Sequence, residues 1–319
     1  MKHFFYIYCI LLCTLCSCSK SNTIIVDYTD QISENDLIKI TNECPYKCQL
    51  KDKTIKIYLP NNIKEFNGDL LRILGENKDP MSRLNIIKNI ILPNSITEIK
   101  RYTFCNIKSL QSITLPKNIS IIDTRTFREC ENLKFINLPE NITEIGYEAF
   151  FKCQSLESIK LPKNITTIEC RAFGLCENLK SINIPENITK ISWRSFDGCH
   201  SLTSITIPQS VTKIEAFAFS NCQSLSSINI PENVTKIEEG AFRGCKSLSS
   251  INIPKNITEI EFATFTDCSS LTSIILPENI TKIGESAFEN CTSLTSININ
   301  KSITEIGKDA FAGCKSLIK

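Results

Sequence analysis

Seventeen cysteines, two histidines and a few carboxylate pairs are the side chains of this 319-residue chain suited to metal, redox or acid–base chemistry. Their spacing removes most of that chemistry. With only His3 and His200, the chain is too poor in imidazole for a multi-histidine metal centre. His200 also fills a turn slot that elsewhere holds Gln, Glu, Lys, Ser or Thr, as a solvent-facing residue would. Glu238 and Glu239 are sequence neighbours and give little support for a glycosidase pair. No GxGxxG, Walker loop, HExxH or GxSxG motif occurs. No catalytic, cofactor or metal residues are expected, and an enzyme is the most distant reading.

Nine cysteines keep one step of 23 residues: Cys130, Cys153, Cys176, Cys199, Cys222, Cys245, Cys268, Cys291 and Cys314. Stacked turns would set them about 5 Å apart, within disulfide range, but parallel stacking need not aim their Cβ atoms together. A straight column does not converge on a metal, so small apolar plugs at a turn are expected. Cys44 and Cys48, in CPYKC, lie outside this period and are candidates for a local disulfide in an exported protein.

The element that positions the cysteines is itself a repeat. Phenylalanine recurs every 23 residues from Phe104 to Phe311, and proline keeps the same step from Pro93 to Pro277. The unit is C-x-S-L-x-S-I-x-I-P-x-N-I-T-x-I-x-x-x-A-F-x-x, and residues 199–221 are a clean copy. In that copy Leu202, Ile205 and Ile207 point inward while Thr203, Ser204 and Thr206 face out, and Pro208 ends the strand. Val211 and Ile214 return to the core, and Ala218 and Phe219 pack its far side. One copy cannot bury these residues alone, so about ten stack as a solenoid of short parallel strands, mostly β and irregular with little helix.

The repeat resembles the 23-residue treponemal, or BspA-like, class of leucine-rich repeat over about residues 86–319. Departures are few: Thr103, Thr126, Ser195 and Thr264 replace the alanine, Ile107 the first periodic cysteine and Asn300 the last proline. The resemblance implies a surface or secreted protein of a bacterium or parasitic protist, associated with adhesion.

The first residues, MKHFFYIYCILLCTLCSCSK, hold an apolar run too short for a stable bilayer span. Leu15-Cys16-Ser17-Cys18 resembles a bacterial lipobox, with cleavage before Cys18 and lipid on that cysteine. The expected organisation is a signal peptide at 1–17, a lipidated tether and amino-terminal cap with an irregular first repeat at 18–85, and the solenoid at 86–319. The expected location is a bacterial cell surface or outer membrane, with membrane contact through Cys18; secretion is the alternative. Periodic sequons such as Asn141-Ile142-Thr143 read as turn residues here, and as glycan acceptors in a eukaryotic secretory route.

Hydrophobic residues make up 42% and charged residues 22% of the chain, and the net charge of +2 gives no nucleic-acid footprint. The residues three and two before each repeat phenylalanine vary sharply. Tyr147, Arg171, Trp193, Arg194 and Phe217 gather there as candidate anchors for a protein or other surface macromolecule. The contrary expectation is that the rings fold back over the solenoid and the arginines merely solvate it. A structural module that self-associates through an uncapped carboxy-terminal edge is the alternative to an adhesin-like function.

Overall fold

The computed structural model describes residues 23–28, 47–51, 54–58, 63–66 and 87–317. The signal segment, Cys18 and Cys44 fall outside them, and with them the lipidation and disulfide expectations. The chain divides into two units, residues 1–162 and 163–319.

In the first unit, strands β1 (Thr23–Tyr28), β2 (Lys47–Lys51) and β3 (Thr54–Tyr58) precede the regular turns. They are followed by β4 (Glu65–Phe66), β5 (Ile87–Ile91), β6 (Glu98–Ile99), β7 (Ser112–Thr114), β8 (Ile121–Ile122) and β9 (Phe135–Asn137). One sheet has the order β2-β3-β1-β5-β7-β9. Its first three pairings are antiparallel and its last two parallel. The irregular first repeat expected within 18–85 is thus divided: Thr54–Tyr58, with Ile55 and Ile57, is a strand of an antiparallel sheet, and only β4 pairs in parallel. The solenoid's second ladder begins with β4, where Phe66 pairs with Ile99 in parallel.

The second unit is regular. Its parallel ladders run Lys190 to Lys213 to Lys236, Ser227 to Ser250 and Ser273 to Ser296, each step one repeat. In the 199–221 copy Leu202, Ile205, Ile207, Val211, Ile214, Ala218 and Phe219 are buried, whereas Thr203, Ser204 and Thr206 are exposed. The Pro208 carbonyl accepts the Val211 N–H at 3.1 Å, turning the chain where proline has stopped the ladder.

Phenylalanines form the spine of each unit. Phe66, Phe104, Phe127 and Phe150 stack at centroid separations of 5.8, 5.2 and 5.3 Å. Phe173 to Phe311 stack at 5.4–5.7 Å. Such contacts add about 0.5–1.5 kcal/mol each beyond area burial. Phe66 precedes Phe104 by more than one period because the stretch between them is longer, yet it fills the same column.

Around each phenylalanine the backbone is left-handed twice. The residue two before it has positive φ in every copy from Tyr102 to Asp309, as does the residue two after it from Asn106 to Gly313. The intervening peptides bond to the next repeat: in the second unit Arg194 N donates to Ala216 O, Phe196 N to Ala218 O and Gly198 N to Ser220 O, at 3.1, 2.9 and 2.8 Å. The alanine slot is buried in this turn. Where Thr126 and Thr264 replace alanine, their hydroxyls donate to the Asp123 and Glu261 carbonyls at 2.7 and 2.9 Å. Ser195 is also buried, but its hydroxyl has no partner.

The periodic cysteines are free thiols, buried except for the half-buried Cys314. They are more than plugs. Cys199, Cys222 and Cys245 donate S–H to the carbonyls of Phe173, Phe196 and Phe219 at 3.2 Å, tying each turn to the one before. Burial pushes the Cys245 thiol up to about 12.

A candidate binding ridge

The variable positions before each phenylalanine lie on the left-handed turn, where the backbone presents their side chains over the neighbouring repeat. In the first unit Arg125 lies between two tyrosines, its guanidinium carbon 5.5 Å from the Tyr102 centroid and 5.2 Å from that of Tyr147. Its Nε donates to Glu148 Oε2 at 2.7 Å and its Nη1 to the Tyr102 hydroxyl at 2.9 Å. The Tyr147 hydroxyl donates to the other Glu148 oxygen at 3.1 Å, and Arg128 donates to Glu148 as well. The Glu148 side chain is 1% exposed, so two arginines and a phenol offset the cost of burying its charge. Burial disfavours the charged form of Arg125, but the bond to Glu148 outweighs it and raises the arginine's pKa.

In the second unit Arg171, Trp193, Arg194 and Phe217 interleave. Arg171 lies 5.9 Å and Arg194 5.2 Å from the Trp193 ring, and Arg194 lies 4.7 Å from the Phe217 ring. All four are half-buried. Arg194 Nη1 donates to Asp197 at 2.9 Å, while its buried Nε has no partner. Glu215 accepts the Trp193 N–H at 2.9 Å and pairs with Lys190 at 3.1 Å, fixing the turn that carries the indole.

Four of the five candidate anchors therefore meet in one cluster. Tyr147 belongs to the first unit, where it packs on Arg125 and Glu148. Sequence reading missed Glu148 and Glu215, the carboxylates that hold the two clusters. The recurrence of Glu215, Glu238 and Glu261 at one slot was the available signal, since Glu238 likewise accepts the Ala216 N–H at 3.0 Å. Among the described residues no three His, Cys, Asp or Glu side chains form a metal set. No helix among them is long and apolar enough to cross a membrane.

Other proteins share this architecture. A leucine-rich cell surface protein of Faecalibacterium prausnitzii is 26% identical, with 85% of this chain and 84% of that one covered and a TM-score of 0.52. The pneumococcal vaccine antigen PcpA is 20% identical, covering 85% and 75%, also with a TM-score of 0.52. A leucine-rich repeat protein of Bacteroides ovatus is 26% identical over 73% and 78%, with a TM-score of 0.39. No curated protein matches the chain. The model of the BspA type leucine rich repeat region matches residues 82–203 and 189–318. With most of its length in that repeat, the chain belongs to the BspA-type leucine-rich repeat family.

Proposed function

We propose that this protein is a non-catalytic, cell-surface binding module of adhesin type whose partner is a protein. The carrying observation is the second-unit cluster of Arg171, Trp193, Arg194 and Phe217, because half-buried tryptophan and arginine are the side chains that most often anchor protein interfaces. Tyr147 with Arg125 would supply a further contact from the first unit. Surface placement is supported by the likeness to the cell surface protein of Faecalibacterium prausnitzii. The domain reading stands with it: signal peptide at 1–17, tether and cap at 18–85, solenoid at 86–319. Cys18 carries the lipid in this reading, from the sequence Leu15-Cys16-Ser17-Cys18. Cys44 and Cys48 pair in the cap.

The test is capture of surface proteins from candidate host or bacterial cells by the full chain, compared with the Trp193→Ala/Arg194→Ala variant. Loss of a specific partner in the variant, with the melting temperature held, supports the ridge; unchanged capture removes it. Intact mass from a lipoprotein-competent host tests Cys18, which should gain two or three acyl chains and lose them in Cys18→Ser. A second reading, self-association, draws on Ile299 and Ile306, about half exposed in the last described turns. Concentration-dependent mass in solution would favour it.

A further inference from the structure

The return side of the second unit is a ladder of short parallel strands, and that ladder is interrupted. Lys190–Ile191, Lys213–Ile214 and Lys236–Ile237 form one sheet, and Glu259–Ile260, Lys282–Ile283 and Glu305–Ile306 form another. Within the sheets the steps match. Thr235 N donates to Thr212 O and Glu238 N to Ile214 O, both at 2.9 Å, and Thr281 N donates to Thr258 O and Gly284 N to Ile260 O at 2.9 and 2.7 Å. The Thr235 and Thr281 hydroxyls donate to the same threonine carbonyls at 3.4 and 3.3 Å. Between the sheets the counterparts are missing: neither the N–H nor the hydroxyl of Thr258 bonds to Thr235 O, and Glu261 N does not bond to Ile237 O. A cleft of about 190 Å³ lies there instead, with residues 235–237 on one lip and residues 257–259 and Glu261 on the other.

The charges change at the same step. Lys190, Lys213 and Lys236 share one slot, and the first two reach the glutamate of the next turn, Glu215 at 3.1 Å and Glu238 at 2.8 Å. Lys236 reaches Glu261 only at 3.7 Å. The next residue in the slot is Glu259, two residues from Glu261 and so on the same side of the chain, which sets two carboxylates on one lip of the cleft. The other sides of these two turns are closed. Gly240, Phe242 and Gly244 donate their N–H groups to the carbonyls of Phe262, Thr264 and Thr266 at 2.9, 3.0 and 2.8 Å. Phe242 stacks on Phe265 at 5.7 Å, and Ser249 N bonds to Ser226 O at 3.1 Å.

We propose that this cleft is a hinge, at which the turns of residues 222–244 and 245–267 part on the return side while the phenylalanine column and the strand face hold. Two turns joined on two sides and open on the third can rotate about the joined edge at little cost. No bond between their backbones has to break, and a polar cleft of this size admits the water that its N–H and carbonyl groups need. Hinging here changes the curvature of the second unit without disturbing the turns that carry Trp193 and Arg194, so the aromatic cluster stays formed while the stack beyond it bends.

The test is amide hydrogen exchange of the full chain, read residue by residue by NMR, with relaxation dispersion on the same sample. Thr258 and Glu261 should exchange on the order of tenfold or more faster than Thr235, Glu238, Thr281 and Gly284, while Gly240, Phe242 and Gly244 stay as protected as Phe217 and Phe219. Microsecond-to-millisecond dispersion should be confined to the residues lining the cleft. Protection of Thr258 equal to that of Thr235 and Thr281 would show a closed ladder and overturn the proposal. Fast exchange at Gly240, Phe242 and Gly244 as well would mean that the turns come apart entirely, and flat dispersion would mean a fixed cleft; either result also overturns it. None of these readouts depends on the partner proposed for the ridge.

Discussion

The Phe217 ring lies beneath the Arg194 guanidinium, at 4.7 Å, and also fills the space where a side chain on Gly240 would begin. A Cβ at Gly240 would stand 2.3 Å from the ring, on a backbone with φ of +57°. Gly240→Ala should therefore cost about 1–3 kcal/mol, part steric and part left-handed strain. In the Phe217→Ala background the steric part disappears and about 1 kcal/mol should remain. Urea unfolding of the four proteins of this cycle measures both parts; equal costs in the two backgrounds would refute the packing account.

Ser195 gives a change in the opposite direction. Its buried hydroxyl lacks the acceptor that Thr126 and Thr264 find three residues back. Ser195→Ala restores the residue of most copies and should stabilise the protein by about 1 kcal/mol. A raised denaturation midpoint with an unchanged slope is the expected signature.

Acid should weaken the second unit through Glu238. Burial favours its neutral form, but Lys213 at 2.8 Å and the Ala216 N–H outweigh that, so its pKa lies below the ordinary glutamate value. A lowered folded-state pKa contributes stability that is present above the unfolded value and is lost as pH falls through the folded one. Stability should thus decline through and below the usual glutamate range. Glu238→Gln should flatten that decline while lowering stability at neutral pH, which denaturation at a series of pH values would read.

Alkali acts on the thiol column. Burial pushes Cys245 and Cys291 up to about 12, and a raised folded-state pKa means stability is complete below the ordinary thiol value and lost as pH rises toward the folded one. Unfolding should therefore become easier from about pH 9 upward. Under native conditions near neutrality, alkylation should reach the half-buried Cys105, Cys170 and Cys314 well before Cys245. Mass-mapped labelling that found Cys245 among the early sites would contradict the buried S–H bond.

The spacing of phenylalanine, proline and cysteine made the solenoid and its core legible, because a fixed period leaves only one way to bury Phe219 against its copies. The second left-handed position was half legible: Asn106, Gly198, Asn221, Gly244, Asp267, Asn290 and Gly313 are residue types that tolerate it. The first was not. Arg125, Glu148, Arg171, Arg194 and Phe217 adopt it with no local preference to announce it, since the ladder of bonds between repeats imposes it. Pairing sense was hidden too: alternation at Ile55 and Ile57 specifies a strand but not whether its neighbour runs with or against it. At the ridge, Trp193 and Arg194 stood out by type, whereas Glu148 and Glu215 gained meaning only when the turns were stacked.

The turn-side peptides have an electrical consequence. In the second unit the peptide joining Trp193 to Arg194 points its carbonyl toward the earlier repeat, where it meets Arg171 N, and its N–H toward the later one, where it meets Ala216 O. The peptides entering Phe196 and Gly198 do the same, and so do their counterparts in the following copies. Elsewhere in the same copies the peptides point the other way: Ser201 N donates to Glu177 O, Thr212 N to Thr189 O and Glu215 N to Ile191 O, each toward the earlier repeat. The two sets of dipoles oppose one another, so they do not add head to tail as they do along an α-helix. Lengthening the stack by further copies therefore builds up no pole at either end.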